Sequence, residues 1–271
     1  MENQILDENV SQSTEISFDE RVRNVLANGY SFEIGKYLST GSAILNKNLG
    51  GFIAYLFVVI AINIGCSMIP VIGSIANSFF ISPALYAGFV IMSFRVFKEK
   101  NTEFGKFFGG FKFVAPLALL TVLTIIIFAI VVIPYILIAL GSQFSQIIDL
   151  VKNVQSGDED PVLVAQFILT FVYKLIPLFF ICLIVSVCFS FSQYIVVFGK
   201  KGAMDALSIS AKIIWKRFIS MLLFLIVIGL INILGAICLL VGLLYTIPLS
   251  MCAMYAAYEH IVGTSSSDIE D

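Results

Sequence analysis

Charge is scarce in this sequence: Asp, Glu, Lys and Arg make up 13% of its 271 residues, against about 25% in a water-soluble domain. Together with 59% hydrophobic residues, that scarcity excludes an ordinary soluble fold and is the composition of a polytopic membrane protein. Histidine is rarer still. His260 is the only one, and a lone imidazole with no second ligand nearby makes no usual zinc or iron centre. The five cysteines, Cys66, Cys182, Cys188, Cys238 and Cys252, lie in or beside apolar runs and form no C-x-x-C pair. They are expected as buried apolar thiols rather than disulfides or metal ligands. No G-x-S-x-G elbow, P-loop, or serine or cysteine triad occurs. The centres of the apolar runs hold no acid or base, which argues against an ion-coupled transporter, because intramembrane charge is the usual mark of one. The net charge of −2 is segregated rather than patched, and gives no reason to expect a nucleic-acid partner. The reading is a non-enzyme with no catalytic residue, no cofactor and no metal.

What is present is apolar sequence in lengths that match a bilayer. Runs at about 52–68, 75–97, 116–140, 175–198, 218–238 and 243–262 approach or reach the ~20 residues a helix needs to cross. The expected fold is all-α, with six transmembrane helices in three hairpins occupying 31–263. An acidic tail (1–30) and a short acidic tail (264–271) flank it. Ser17 and Glu20 have capping-box spacing, so a short helix is expected from there to Gly29. No cleavable signal peptide is expected, since the first apolar run begins only at Phe52. An insertion, 141–174, interrupts the middle hairpin. Within it, Phe144, Ile147, Ile148 and Val151 form a helical stripe, and 162–173 is short enough to read as a re-entrant or interfacial helix. A bend is expected at Pro134, where a backbone donor is missing.

Each hairpin is preceded by an amphipathic segment. Ile34, Tyr37, Leu38, Gly41, Ile44 and Leu45 recur at helical spacing, with Lys36 and Lys47 away from them. Phe104, Phe107, Phe108 and Phe111 repeat the pattern beside Lys106 and Lys112. Met204, Leu207, Ala211, Ile214 and Trp215 do so opposite Lys212 and Lys216, with Arg217 at the exit. These apolar faces are expected at the lipid boundary and the bases on anionic headgroups. Lys36, Lys47, Lys106, Lys112, Lys212, Lys216 and Arg217 are therefore the candidate lipid-contact residues. With six crossings, every base except Lys152 and Lys174 falls on the face shared by both termini. The positive-inside rule makes that face cytoplasmic.

The hairpins also resemble one another. Superposing Ser39 on Ser208 brings Leu38 onto Leu207, Ile44 onto Ile213 and Lys47 onto Lys216. Ile81-Ser82-Pro83 and Thr246-Ile247-Pro248 open two return helices, followed by the small pairs Ala84/Gly88 and Ala253/Ala257; Ser186/Ser190 follows Pro177 in the third. Small residues four apart permit close helix approach. Two readings stand: a common inner seam built from a repeated unit, or the ordinary richness of membrane helices in small residues. Asn63, Asn77, Gln193 and Asn232 lie in or near the spans, expected as interhelical hydrogen-bonding groups and, on the alternative reading, as the lining of a polar path.

The run Ile195 to Arg217 and the turn Phe104-Gly-Lys-Phe-Phe-Gly-Gly-Phe-Lys112 resemble the cytoplasmic turns of a family of bacterial multi-pass membrane proteins of unknown function. That family is distantly similar to the membrane domain fused to some glycerophosphodiester phosphodiesterases, although no phosphodiesterase catalytic domain is present here. The resemblance covers roughly Ser31 to Val262, implies the bacterial inner membrane, and brings no catalytic residues. The expected function is membrane organisation or assembly through contacts with membrane lipids and a protein partner or second copy. The alternative is a permease or facilitator for an apolar or zwitterionic solute.

Overall fold

The computed structural model describes residues 16–141, 143–156, 161–238 and 241–269. Residues 1–15 of the expected acidic tail and 157–160 of the expected insertion lie outside them. Among the described residues every regular element is helical. In chain order these are α1 (Phe18–Asn28), α2 (Ile34–Lys47), α3 (Leu49–Ser67), α4 (Ile72–Ala76), a π-helical turn (Asn77–Ile81) and α5 (Ser82–Phe97). A 3-10 helix (Phe104–Phe113) leads to α6 (Val114–Gly141), α7 (Phe144–Ser156), α8 (Pro161–Cys188), α9 (Ser192–Gly199), α10 (Ala203–Trp215), α11 (Phe218–Ile237) and α12 (Leu243–Ile261). Among the described residues five segments are long and apolar enough to cross a membrane: Leu49–Ser67, Ile72–Phe97, Phe104–Ala139, Val164–Gly199 and Phe218–Ile237.

The chain forms two compact units, one of residues up to Thr121 together with those from Cys188 onward, the other Val122–Val187. In the first, three close packings make a closed cycle. The amphipathic helix α2 lies on α12, and a Cβ added at Gly41 would stand 2.6 Å from the Ala253 Cα. The 3-10 helix lies on α5, where a Cβ at Gly110 would stand 2.0 Å from the Ala84 carbonyl oxygen and one at Gly88 2.2 Å from that of Phe107. α10 closes on the turn before α9: the buried Ser210 Oγ donates to the Cys188 carbonyl at 2.7 Å and accepts from the Phe191 amide at 3.2 Å. Thus α2 covers α12, the 3-10 helix covers α5, and α10 covers the start of α9. The return helices meet in an aromatic core. The Tyr86 and Tyr194 hydroxyls are 3.2 Å apart, Tyr194 stacks on Tyr258 at 5.1 Å, and Phe94 meets Phe198 at 5.3 Å. Ala84/Gly88 and Ala253 are therefore seam residues.

This packing corrects the expected lipid-boundary position of α2. Tyr37, Gly41, Ile44 and Leu45 are buried by protein, because the small residues of α12 admit the helix where lipid had been expected. The Phe104–Phe111 stripe is a 3-10 segment in which Phe107 is buried while Phe104, Phe108 and Phe111 stay exposed, since at three residues per turn the four rings cannot share one α-helical face. On α10 the covered residues are Ala203, Ala206, Leu207, Ser210, Ile213 and Ile214; Met204 and Trp215, expected with them, point outward. α1 begins as expected, Ser17 Oγ accepting from the Glu20 amide at 3.3 Å, and ends at Gly29 with φ 73°. It packs Val22 and Val25 inward. The C-terminal residues fold back as a strap: Lys100 Nζ donates to the Ser266 and Ile269 carbonyls at 2.7 and 3.2 Å, and Arg21 pairs with Asp268 at 2.8 Å.

In the second unit, α8 passes without interruption through Lys174 and Pro177, so 162–173 is the first half of one long helix rather than a separate re-entrant element. A proline removes one hydrogen bond, and an otherwise apolar helix continues past it; Pro134 is carried inside α6 in the same way. The run expected as a single span over 175–198 is instead divided by a turn at 189–191, the turn that Ser210 holds. The Tyr135 hydroxyl donates to the Lys174 carbonyl.

Exposure separates the helices by role. α3, α6 and α11 leave large apolar side chains uncovered, among them Ile64, Ile130 and Ile233. Return helices α5 and α12 are covered by protein. α12 also carries Thr246, Ser250, Glu259 and His260, which leaves it outside the five most apolar segments.

Gly35 and Gly41 lie on the same helix, but a Cβ at Gly35 meets nothing within 4 Å. Gly35→Ala is expected to raise stability by up to ~1 kcal/mol, whereas Gly41→Ala and Gly110→Ala lower it by ~1–3 kcal/mol through overpacking against backbone. Thermal unfolding of the three variants in detergent measures both signs.

Candidate functional site

One end of the first unit concentrates positive charge around a cavity of about 440 Å³, within the range of small-molecule sites. Its wall is assembled from four places in the chain: Ile91 and Arg95 of α5, Gly105 to Phe113 of the 3-10 helix, Lys200 at the end of α9, and Asp268 with Ile269 of the strap. The bases are Arg95, Lys106, Lys112 and Lys200. Arg95 is only 3% exposed and donates to the Asn101 carbonyl at 3.2 Å, which fixes the turn after α5. Among the described residues Asp268 is the one acid on this wall, and its carboxylate is engaged by Arg21 and by the Ser265 amide at 2.8 Å each. Lys106, Lys112 and Lys200 have no carboxylate partner among the described residues. Lys200 adopts the left-handed conformation (φ 49°, ψ 31°), which costs a non-glycine residue ~1–2 kcal/mol.

A second cluster borders α10. Trp215 is 66% exposed and, with Leu26, Ala211, Lys212 and Lys216, lines a shallow groove. Lys216 Nζ donates to the Leu26 carbonyl, capping α1. Arg217 and Lys216 border an adjoining hollow with Asn28 to Ser31, where the Tyr30 hydroxyl donates to the Ile213 carbonyl at 3.0 Å.

The candidate lipid-contact residues therefore divide. Lys106 and Lys112 join the cavity, and Lys212, Lys216 and Arg217 gather beside Trp215. Lys36 stands exposed on α2, and Lys47 pairs with Glu99 at 3.1 Å in a solvent-exposed bridge of little energetic weight. Sequence reasoning missed Arg95, Lys200 and the strap as parts of one site. The available signal was that Arg95 and Lys200 both lie at the ends of apolar runs; nothing local joined them to Lys106 and Lys112.

Other polar candidates are engaged in structure. His260 Nδ1 lies 3.1 Å from the Tyr37 hydroxyl, and Nε2 3.9 Å from Glu33. Its neighbour Glu259 points elsewhere, because adjacent helical residues diverge: Glu259 accepts from Lys98 at 2.9 Å and from Tyr255 at 3.1 Å. Asn63 Oδ1 accepts from Asn77 at 2.7 Å beside the π-helical turn, and Asn77 Oδ1 from Ser82 at 3.1 Å. Asn232 donates to Ser250 at 2.8 Å, although its Oδ1 has no partner among the described residues. Both groups bond an outgoing helix to its return helix. Of the cysteines, Cys188 and Cys252 are buried, Cys66 and Cys182 half-buried and Cys238 exposed, a departure at Cys238 from the buried thiol expected. The described residues contain no group of three or more His, Cys, Asp or Glu able to hold a metal ion.

Burial, reinforced by Tyr37 and opposed by Arg217, pushes the Tyr30 phenol up to about 12 from an ordinary 10.0. The raised value means that the folded state holds the proton more tightly. Its stabilisation is fully present below pH 10 and is lost as pH rises towards about 12. A spectrophotometric tyrosinate titration of the wild type minus that of Tyr30→Phe is expected to isolate this late phenol. Tyr30→Phe should also cost ~1 kcal/mol at neutral pH through the lost hydrogen bond to the Ile213 carbonyl.

Comparison of the chain with protein-family models, curated proteins and solved structures gives no match.

Proposed function

We propose that the chain is a non-enzymatic membrane-organising or assembly protein that acts through lipid and protein contacts on its base-rich face. The observation that carries this reading is the exposed Trp215 between Lys212 and Lys216, immediately before the apolar helix α11. An indole flanked by cations at the foot of an apolar helix is the combination that anchors at a headgroup layer. The uncovered apolar faces of α3, α6 and α11 are suited to lipid on the same account.

On this reading α12 is the sixth crossing, tolerating polar residues because protein rather than lipid covers it. Both termini and every base except Lys152 and Lys174 are then cytoplasmic, and the resemblance to bacterial multi-pass proteins suggests the inner membrane. The cycle of three packings supports descent from a repeated hairpin. A second copy or another protein is the expected partner. The asparagines, each bonded to a neighbouring helix, favour interhelical fastening over a permease path.

Reporters fused at the two termini are expected to register the cytoplasm for both; opposite sides would leave five crossings and overturn the six-span reading. For the lipid contact, hydrogen exchange on the full chain in phosphatidylcholine nanodiscs is compared with and without phosphatidylglycerol. The anionic lipid is expected to protect 203–217 in the wild type and not in the Lys212→Gln, Lys216→Gln, Arg217→Gln variant, each base contributing ~1 kcal/mol. Equal protection in both proteins would overturn the headgroup contact.

A further inference from the structure

The cavity bounded by α5, the 3-10 helix, Lys200 and the strap differs from the Trp215 surface in being enclosed on several sides and in gathering cations from distant parts of the chain. We propose that it is a discrete binding site for one phosphate-bearing anion.

Four observations converge on that chemistry. First, three of its bases, Lys106, Lys112 and Lys200, have no carboxylate partner among the described residues, whereas Arg21, Lys98 and Lys201 nearby are ion-paired at 2.8, 2.9 and 2.7 Å. Gathering like charges around one hollow is unfavourable unless an anion occupies it. Secondly, Asp268, the acid on the wall among the described residues, is neutralised by Arg21, so it does not cancel the lysines. Thirdly, Lys200 occupies a left-handed backbone position where glycine would be cheaper; its side chain supplies a charge to the wall that glycine could not. Fourthly, the wall is built: Lys100 and Arg21 hold the strap, and Gly110 seats the 3-10 helix against the Ala84 carbonyl.

Three lysine ammonium groups act as point donors suited to the several oxygens of a phosphate. Ile91, Phe108 and Phe113 share the wall and give an apolar surface beside the charges. The anion is therefore either the phosphate of a lipid headgroup, with its glycerol and first methylenes against those side chains, or a free phosphorylated solute. Only the lipid source rests on the membrane reading above; the phosphate site itself does not.

The decisive variants are Lys112→Gln and Lys200→Gly. Lys200→Gly relieves the left-handed strain, so the unliganded fold is expected to be as stable as wild type or more so, and any loss of binding then reflects lost charge. The full-length chain in neutral detergent is titrated with inorganic phosphate, with thermal stability as readout. In parallel it is mixed with phosphatidylglycerol or phosphatidylcholine and examined by native mass spectrometry. Retention of one phosphatidylglycerol in preference to phosphatidylcholine, weakened about fivefold by each substitution, would establish the lipid source. A stabilising shift by inorganic phosphate that shrinks in both variants, without selective lipid retention, would establish a soluble source. Binding of neither probe, or equal binding by wild type and both variants, would overturn the site. Because Lys212, Lys216 and Arg217 are untouched here, failure of the cavity and failure of the headgroup contact at α10 are separately visible.

Discussion

The structure depends on backbone approaching backbone. Where apolar side chains have apolar surroundings on both sides, burying them between helices releases little free energy, and association rests on van der Waals packing and on the few polar bonds that can form. Gly41 against Ala253, and Gly110 and Gly88 between the 3-10 helix and α5, leave no room for a single added carbon. At the third contact a hydroxyl takes the place of a glycine: Ser210 bonds both sides of the turn before α9. Three tight contacts in a cycle hold the return helices together, and the aromatic stack of Tyr194, Phe198 and Tyr258 fills the space they enclose.

That arrangement explains why the uncovered and covered helices differ in composition. Return helices are surrounded by protein, so Ser93, Tyr194, Ser250 and Tyr255 can be accommodated by specific partners. Outgoing helices α3 and α11 lack such shelter, and their amides Asn63 and Asn232 turn inward to the neighbouring return helix. The two amides occupy the same place in the superposition of Ser39 on Ser208. Their shared role strengthens the reading of a repeated hairpin over a chance abundance of small residues.

The packing that seats the amphipathic segments also builds the basic cavity. Seating the 3-10 helix on α5 carries Lys106 and Lys112 towards Arg95, and the turn at the end of α9 brings Lys200 to the same wall. The strap closes it through Arg21 and Lys100. Structural glycines and the charged wall are thus coupled: a change that dislodges the 3-10 helix would also disperse the charges.

Much of this was legible in the chain. Helix identity, the Ser17 start of α1 and the small pairs at Ala84/Gly88 and Ala253 follow from local properties, since hydropathy, capping and spacing act over one or two turns. Continuity was less legible. Lys174 and Pro177 read as a boundary although α8 runs through both, while no strong breaker marks the turn at 189–191, which is fastened by Ser210 from another helix. The sequence by itself determined that the chain is helical and apolar in bilayer-length runs, with bases at their ends. Tertiary structure alone decided that α2 is covered by α12 rather than left at a boundary, that Trp215 faces outward, and that Arg95, Lys106, Lys112 and Lys200 share one wall. The reason is physical: an amphipathic pattern specifies that a face will be covered, but what covers it depends on which distant backbone offers a surface small enough to approach.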